Sequence, residues 1–267
     1  AFLKSVYATF VTMKANAALC FLLLGASLWI FHLENGASIR KRLVTLLAAV
    51  PVVIAGVTLL ESAMGMQSGI DNMLFSDIPG ALHTSFPSRM APTDAINFLL
   101  LGVAMLFAGM PKTERLHPTE ILAASAFIIA LFPFTGYAYG VSALIGYSER
   151  FTEMSIHASL GFMILSVGIL FSRPDGGWAS LATKTGEAGF LLRVILPLII
   201  IALFIMGWMR LLGESLGLFG SQFGTALFVV LRIVLIGSII IWAARMIYRI
   251  ERNRLAIQEE LERTNAS

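Results

Sequence analysis

Seven polar side chains stand inside or at the mouths of long apolar stretches, where ionisable groups are expensive and are functional candidates by default. They are Glu61, Asp94, Asn97, His157, Arg210, Glu214 and Arg232. The acids Glu61, Asp94 and Glu214 carry the charge to offset Arg210 and Arg232, so a bundle that gathers them holds a polar cavity in an apolar surround. That arrangement senses or binds a small ligand; it does not make or break bonds. Arg232 is the sharpest case, because Val-Val-Leu precedes it and Ile-Val-Leu follows it. It lies too deep to snorkel and needs a buried partner, with Glu61, Asp94 and Glu214 as candidates. For the others, the plainer reading is an interfacial side chain that reaches water.

Other chemistries find little support. His32 and His117 fall on one side of the apolar stretches and His83 and His157 on the other, so no four-histidine site and no facing pair of haem ligands arises. His83 and His157 are weak metal candidates, and His83 with Met64, Met66, Met73, Met90 and Met154 outlines a soft copper site. Methionines in apolar helices usually pack instead. The cofactor is left unknown. A lone cysteine, Cys20, rules out an internal disulfide framework. No nucleophile elbow, phosphate-binding glycine loop, HExxH motif or catalytic acid pair is present, so this segment carries no recognisable catalytic site.

The elements that must position these groups are membrane helices. Hydrophobic residues make up 57% of the 267 and charged ones 13%, where a soluble domain has about half and a quarter. The expected fold is an all-α polytopic transmembrane bundle with seven spans, near 15–33, 43–65, 94–110, 121–142, 156–172, 194–214 and 224–249. An eighth, N-terminal span is expected to end in the apolar residues 1–12. Arg40, Lys41, Arg42, Lys112, Arg115, Arg173, Lys184, Arg193, Arg245, Arg249, Arg252, Arg254 and Arg263 share one side, thirteen of nineteen basic residues. Only Lys4, Lys14, Arg89 and Arg150 fall on the other. The positive-inside rule then makes the basic side and the C-terminus cytoplasmic, and the net charge of +3 reflects topology rather than nucleic-acid binding. The long outward loop, Gln67 to Arg89, mixes apolar residues with turn formers and is expected to be an ordered lid.

Three of the outside-to-inside stretches open alike. Met13, Asn16, Phe21 and Gly25 match Met90, Thr93, Phe98 and Gly102, and these match Met154, His157, Phe162 and Ser166. A weaker fourth copy begins at Gly224, and Gly65, Gly140 and Gly213 mark the outer ends of the return helices. The pattern predicts repeated helical hairpins. Asn16 and Thr93 are expected N-caps, Pro92 suits a first helical turn, and Gly25, Gly102 and Ser166 are expected to let helices approach closely. The sharper expectation is that the four helix N-termini, each with a partial positive charge, converge at the outer surface around a shared pocket.

The last stretch does not stop at its apolar end. From Trp242 onward it continues without Pro or Gly, with Ile247, Ile250, Ile257 and Leu261 at heptad spacing and Arg254 interrupting. Residues 1–249 therefore read as a sensory bundle, and 250–267 as a cytoplasmic signalling helix that opens a coiled-coil linker.

Several segments together resemble a known group. These are the Met/polar/Phe repeat; Gly69-Ile70-Asp71 to Phe75, then Phe86 to Pro92; Tyr137 to Val141; and Gly186 to Arg193 with Pro197. Gly207 to Gly213, Gly224 to Leu227 and the closing Leu261 to Asn265 extend the likeness over nearly the whole chain. The chain resembles the polytopic N-terminal membrane domains of bacterial sensor proteins that precede PAS domains, histidine kinases or diguanylate cyclases. It departs from their pattern at Ala15 and Ala17, where they favour Pro and Thr. The resemblance implies signal transduction from the inner membrane, as a homodimer in the bilayer, from an unidentified small ligand to an output domain in the same chain. On that reading the 267 residues are the input end of a longer protein. A small-molecule transporter and a cofactor-binding accessory subunit of a membrane complex are the competing readings.

Overall fold

A computed structural model of the chain describes residues 12–33, 37–65, 89–109, 118–145, 152–172, 177–183 and 187–265. Among the described residues the structure is helical, with no strand. The helices are α1 (Ala15–Phe31), α2 (Ala37–Met64), α3 (Pro92–Ala108), α4 (Pro118–Tyr139), α5 (Ser142–Ile145), α6 (Ile156–Leu170), α7 (Gly177–Thr183), α8 (Glu187–Phe190), α9 (Leu196–Ser215) and α10 (Ser221–Asn265). A π-helical stretch, Leu191–Ile195, joins α8 to α9.

Four stretches are long and apolar enough to cross a membrane: Ser38–Met64, Pro118–Tyr139, Leu191–Ser215 and Ser221–Arg249. The other three expected spans form apolar but shorter helices, Ala15–Phe31, Pro92–Ala108 and Ile156–Leu170. At about 1.5 Å per residue these run roughly 23–26 Å, short of a hydrocarbon core of about 30 Å. The lid segment expected between Gln67 and Arg89, His83 within it, and the N-terminal residues 1–11 lie outside the described residues, apart from Arg89 itself.

The contacts divide the chain into two compact units, Ala1–Ala179 and Ser180–Ser267. In the first unit α1, α3 and α6 touch one another, α2 packs on α1 and α3, and α4 packs on α3 and α6. The inner trio is therefore the three copies of the repeat. Their shared register explains it, because buried positions recur at three-, four- and seven-residue offsets: Ala17, Cys20 and Leu24; Asp94, Phe98 and Leu101; Ala158, Phe162 and Leu165. That 4-3 spacing is the seam a helix presents to close neighbours. Two buried hydroxyls also tie neighbouring helices: Ser27 donates to the Val44 carbonyl at 3.0 Å and Thr119 to the Ala104 carbonyl at 3.2 Å. In lipid such bonds contribute about 0.6 kcal/mol each.

The small residues expected to act alike do not. At Gly102 an added Cβ would lie 2.4 Å from Val52 Cγ2 and 3.2 Å from the Ala48 carbonyl oxygen, so α2 rests directly on the α3 backbone. At Gly25, which is exposed, nothing lies within 4 Å. The return helices close on left-handed glycines, Gly65, Gly140 and Gly217. The third replaces the expected Gly213, which lies inside α9 and receives the Phe219 ring, 2.4 Å from where a Cβ would be. Leu218 N–H donates to the Gly213 carbonyl and Gly217 N–H to the Glu214 carbonyl, the paired bonds of a Schellman stop.

In the second unit α9 packs on α10, and Phe219 in their turn also lies against Gly224. Most large apolar side chains of both helices are exposed, Ile201, Trp208, Val230 and Ile233 among them, as lipid-facing helices require. The single helix α10 runs 45 residues, past its apolar part to Asn265.

Gly102→Ala should destabilise the first unit by about 1–3 kcal/mol, the usual cost of overpacking, while Gly25→Ala should be neutral or slightly stabilising. Denaturant unfolding of the two purified variants in one detergent checks this. Equal stability would show that α2 does not rest on Gly102.

Candidate functional site

The three inner helices begin in the same register, one residue after Lys14, Ala91 and Ser155. These are the N-cap residues. The expected caps Asn16 and Thr93 instead occupy the second helical position, because the chain turns helical two residues after each repeat Met. Pro92 takes the first turn as expected. Only in α6 does the cap side chain act, with Ser155 Oγ accepting from Ala158 N–H at 3.2 Å; α1 and α3 have no side-chain cap bond.

One and a half turns further on, the repeat phenylalanines meet. The Phe21 and Phe98 ring centroids are 4.8 Å apart, Phe21 and Phe162 4.6 Å, and Phe98 and Phe162 4.6 Å. The N-terminal halves of α1, α3 and α6 therefore converge, and the residues just above this aromatic cluster are brought close together. Copies one and three place small or apolar groups there: Ala17 and Cys20, Ala158 and Gly161. The middle copy places Asp94 and Asn97 at the same two positions.

Both are buried, Asp94 at 4% exposure and Asn97 at none. Asp94 is the third residue of α3 and takes a hydrogen bond from the Ala91 backbone N–H, the return half of a capping box. A carboxylate there also faces the positive end of the helix dipole. Its Oδ1 has no hydrogen-bond partner among the described residues, and neither do Oδ1 and Nδ2 of Asn97. An unmatched buried amide costs about 1–3 kcal/mol, so these atoms are poised to accept a partner. Asp94 lies within electrostatic range of Cys20 and of Tyr137, whose hydroxyl donates to the Met154 carbonyl at 2.9 Å. Thr152 Oγ1 and His157 Nδ1, near the start of α6, are likewise buried without a hydrogen-bond partner among the described residues.

Glu61, in the last turn of α2, forms a buried ion pair with Arg89, 3.1 Å between Oε2 and Nη2, with side chains 7% and 3% exposed. Sequence reasoning missed Arg89, counting it as a loop cation. Its signal was position: it stands directly before Met90, the first residue of the middle repeat.

The remaining candidates belong to the second unit. Arg210 Nη2 donates to Thr225 Oγ1 at 2.8 Å and approaches Glu214 Oε2 at 3.7 Å, both partners part-exposed. A pair so exposed contributes at most about 1 kcal/mol. Arg232 has no ion pair among the described residues, and its buried Nε has no hydrogen-bond partner among them. Of the partners expected for it, Glu61 is held by Arg89 and Glu214 lies beside Arg210. No group of three or more His, Cys, Asp or Glu among the described residues is placed to hold a metal.

Arg89→Leu should destabilise the protein by about 3–5 kcal/mol, because it removes the buried cation that Glu61 faces at 3.1 Å. Adding Glu61→Leu should recover most of that loss, as buried ion pairs replaced by apolar pairs commonly do. Unfolding curves of the single and double variants decide it; a double variant no better than the single would deny that the pair acts as a unit. Comparison of the chain with family models, curated proteins and solved structures returns no match, so the reading of function rests on this arrangement.

Proposed function

We propose that this chain is the membrane-embedded input domain of a bacterial signal-transduction protein. In this reading it is a seven-span bundle of repeated hairpins in the inner membrane. The ends where α1, α3 and α6 begin face outward, and the C-terminus is cytoplasmic and dimeric. The observation that carries the reading is the pair Asp94 and Asn97, buried and incompletely bonded among the described residues, at positions where the two sister helices have Ala, Cys or Gly.

The chemistry follows from those atoms. A small ligand that offers both a donor and an acceptor to Asn97, and a donor or positive charge to Asp94, relieves an existing penalty instead of displacing existing bonds. A ligand with that preference for one packing of α1, α3 and α6 shifts the balance between packings. The uninterrupted helix α10, continuing to Asn265 beyond its apolar part, supplies a rigid element able to carry a rotation or shift to an output module such as a histidine kinase or diguanylate cyclase. A transporter would instead need broken helices lining a path at mid-depth.

In the full-length protein, inserting one residue after Arg249 rotates everything beyond it by about 100°, and inserting seven restores the phase to within about 20°. Output-module activity should be lost or locked by the first insertion and retained by the second. Asn97→Leu should shift basal output by roughly tenfold, the equivalent of relieving a buried unpaired amide worth about 1–3 kcal/mol. Indifference to both changes, or substrate flux in reconstituted vesicles, would overturn the reading.

A further inference from the structure

At the opposite ends of α1 and α3 lies a cavity of about 390 Å³ that the proposed sensing role does not use. It is bounded by Phe31 at the end of α1, Ala108 and Gly109 at the end of α3, and Arg40, Lys41, Val44 and Thr45 in the first turns of α2. Its size suits a ligand headgroup.

The charge balance favours an anion. Two helix C-termini contribute about −0.5 each and the α2 N-terminus about +0.5, against two full positive charges from Arg40 and Lys41, so among the described residues a net positive charge of about one to two remains. Among the described residues no Asp or Glu lines the cavity. Arg40 donates through Nη1 to the Leu33 carbonyl just past α1, which orients its guanidinium and leaves its other N–H groups for a ligand. Lys41 is exposed and Thr45 adds a hydroxyl. The rest of the lining is apolar, with Val44, Met105 and Leu106 beneath the cations.

The setting distinguishes a lipid from a free anion. The cations occupy the first turns of a helix long and apolar enough to cross a membrane, which puts them at the membrane boundary. Trp29, Leu43 and Leu46 stand exposed at the same end of α1 and α2, 71%, 43% and 62%, as lipid-facing and interfacial side chains do. We propose that this cavity is a binding site for the headgroup of an anionic phospholipid. The phosphate sits on Arg40, Lys41 and Thr45, and the first acyl carbons lie over the apolar wall. Occupancy clamps the ends of α1 and α3 to the start of α2.

The test is lipid binding to the purified full-length protein by native mass spectrometry, with phosphatidylglycerol, phosphatidylcholine and inorganic phosphate as probes. Phosphatidylglycerol should be retained at a defined stoichiometry and phosphatidylcholine should not, and millimolar inorganic phosphate should fail to displace the lipid. Lys41→Gln should weaken phosphatidylglycerol binding by about fivefold, the usual contribution of one cation near an anionic headgroup, whereas Arg42→Gln, one residue along and outside the cavity, should change it less than about twofold. Arg40→Gln should weaken it further; if that variant fails to fold, Lys41→Gln, at an exposed position, carries the comparison alone. Equal effects of Lys41→Gln and Arg42→Gln would reduce the attraction to delocalised surface charge and overturn the site. Displacement by inorganic phosphate would make it a free-anion site and overturn the lipid assignment.

Discussion

The contact between Phe21, Phe98 and Phe162 is the interaction on which the first unit depends. Lipid tails are as apolar as leucine, so helices in a bilayer gain nothing from leaving lipid and associate through close packing and a few polar bonds. Three rings with centroids 4.6–4.8 Å apart supply that packing, each pair adding about 0.5–1.5 kcal/mol beyond burial. The arrangement requires bare backbone nearby. A Cβ at Gly161 would lie 2.9 Å from the Phe21 ring, so α1 reaches α6 only because that residue has no side chain. With the trio set, α2 closes over Gly102 and α4 is tied on by the Thr119 and Tyr137 hydroxyls.

The site arises from a break in that repetition. Three helices with one register make a nearly threefold arrangement in which equivalent positions face each other, and apolar small residues would fill it without cost. Placing Asp94 and Asn97 in only one helix makes the centre polar on one side. Asp94 is partly accommodated by the Ala91 N–H and the α3 dipole. Asn97 has no such accommodation among the described residues. A fold that buries an amide with neither donor nor acceptor matched carries strain of a chemical kind, and such groups cluster where proteins bind things.

Charge elsewhere is handled differently at the two ends of the first unit. At one end Arg89 and Glu61 neutralise each other in the interior. At the other, Arg40 and Lys41 face helix C-termini and a cavity with no acid among the described residues of its lining. A buried pair offsets its own charge; a pair of cations at the membrane boundary, with no acid among the described residues around it, is open to an anion from outside.

Much of this was legible in the residues. Composition alone required helices in a bilayer, because no soluble domain leaves so few charges to cover its surface. The recurrence of Met, a polar residue, Phe and a small residue marked α1, α3 and α6 as equivalent copies, since equivalent spacing gives equivalent faces; that the three pack on one another came from the structure. Asp94 and Asn97 stood out because polar groups in apolar stretches are costly wherever they point. Spacing along one chain carries no information about which of two distant residues meet, so the structure alone paired Glu61 with Arg89 and made Gly102, not Gly25, the close approach. It also placed the N-caps at Lys14 and Ala91, not at Asn16 and Thr93. Local sequence determined the helices and their faces; long-range packing decided partners, ends and cavities, because those depend on atoms the chain brings together only when folded.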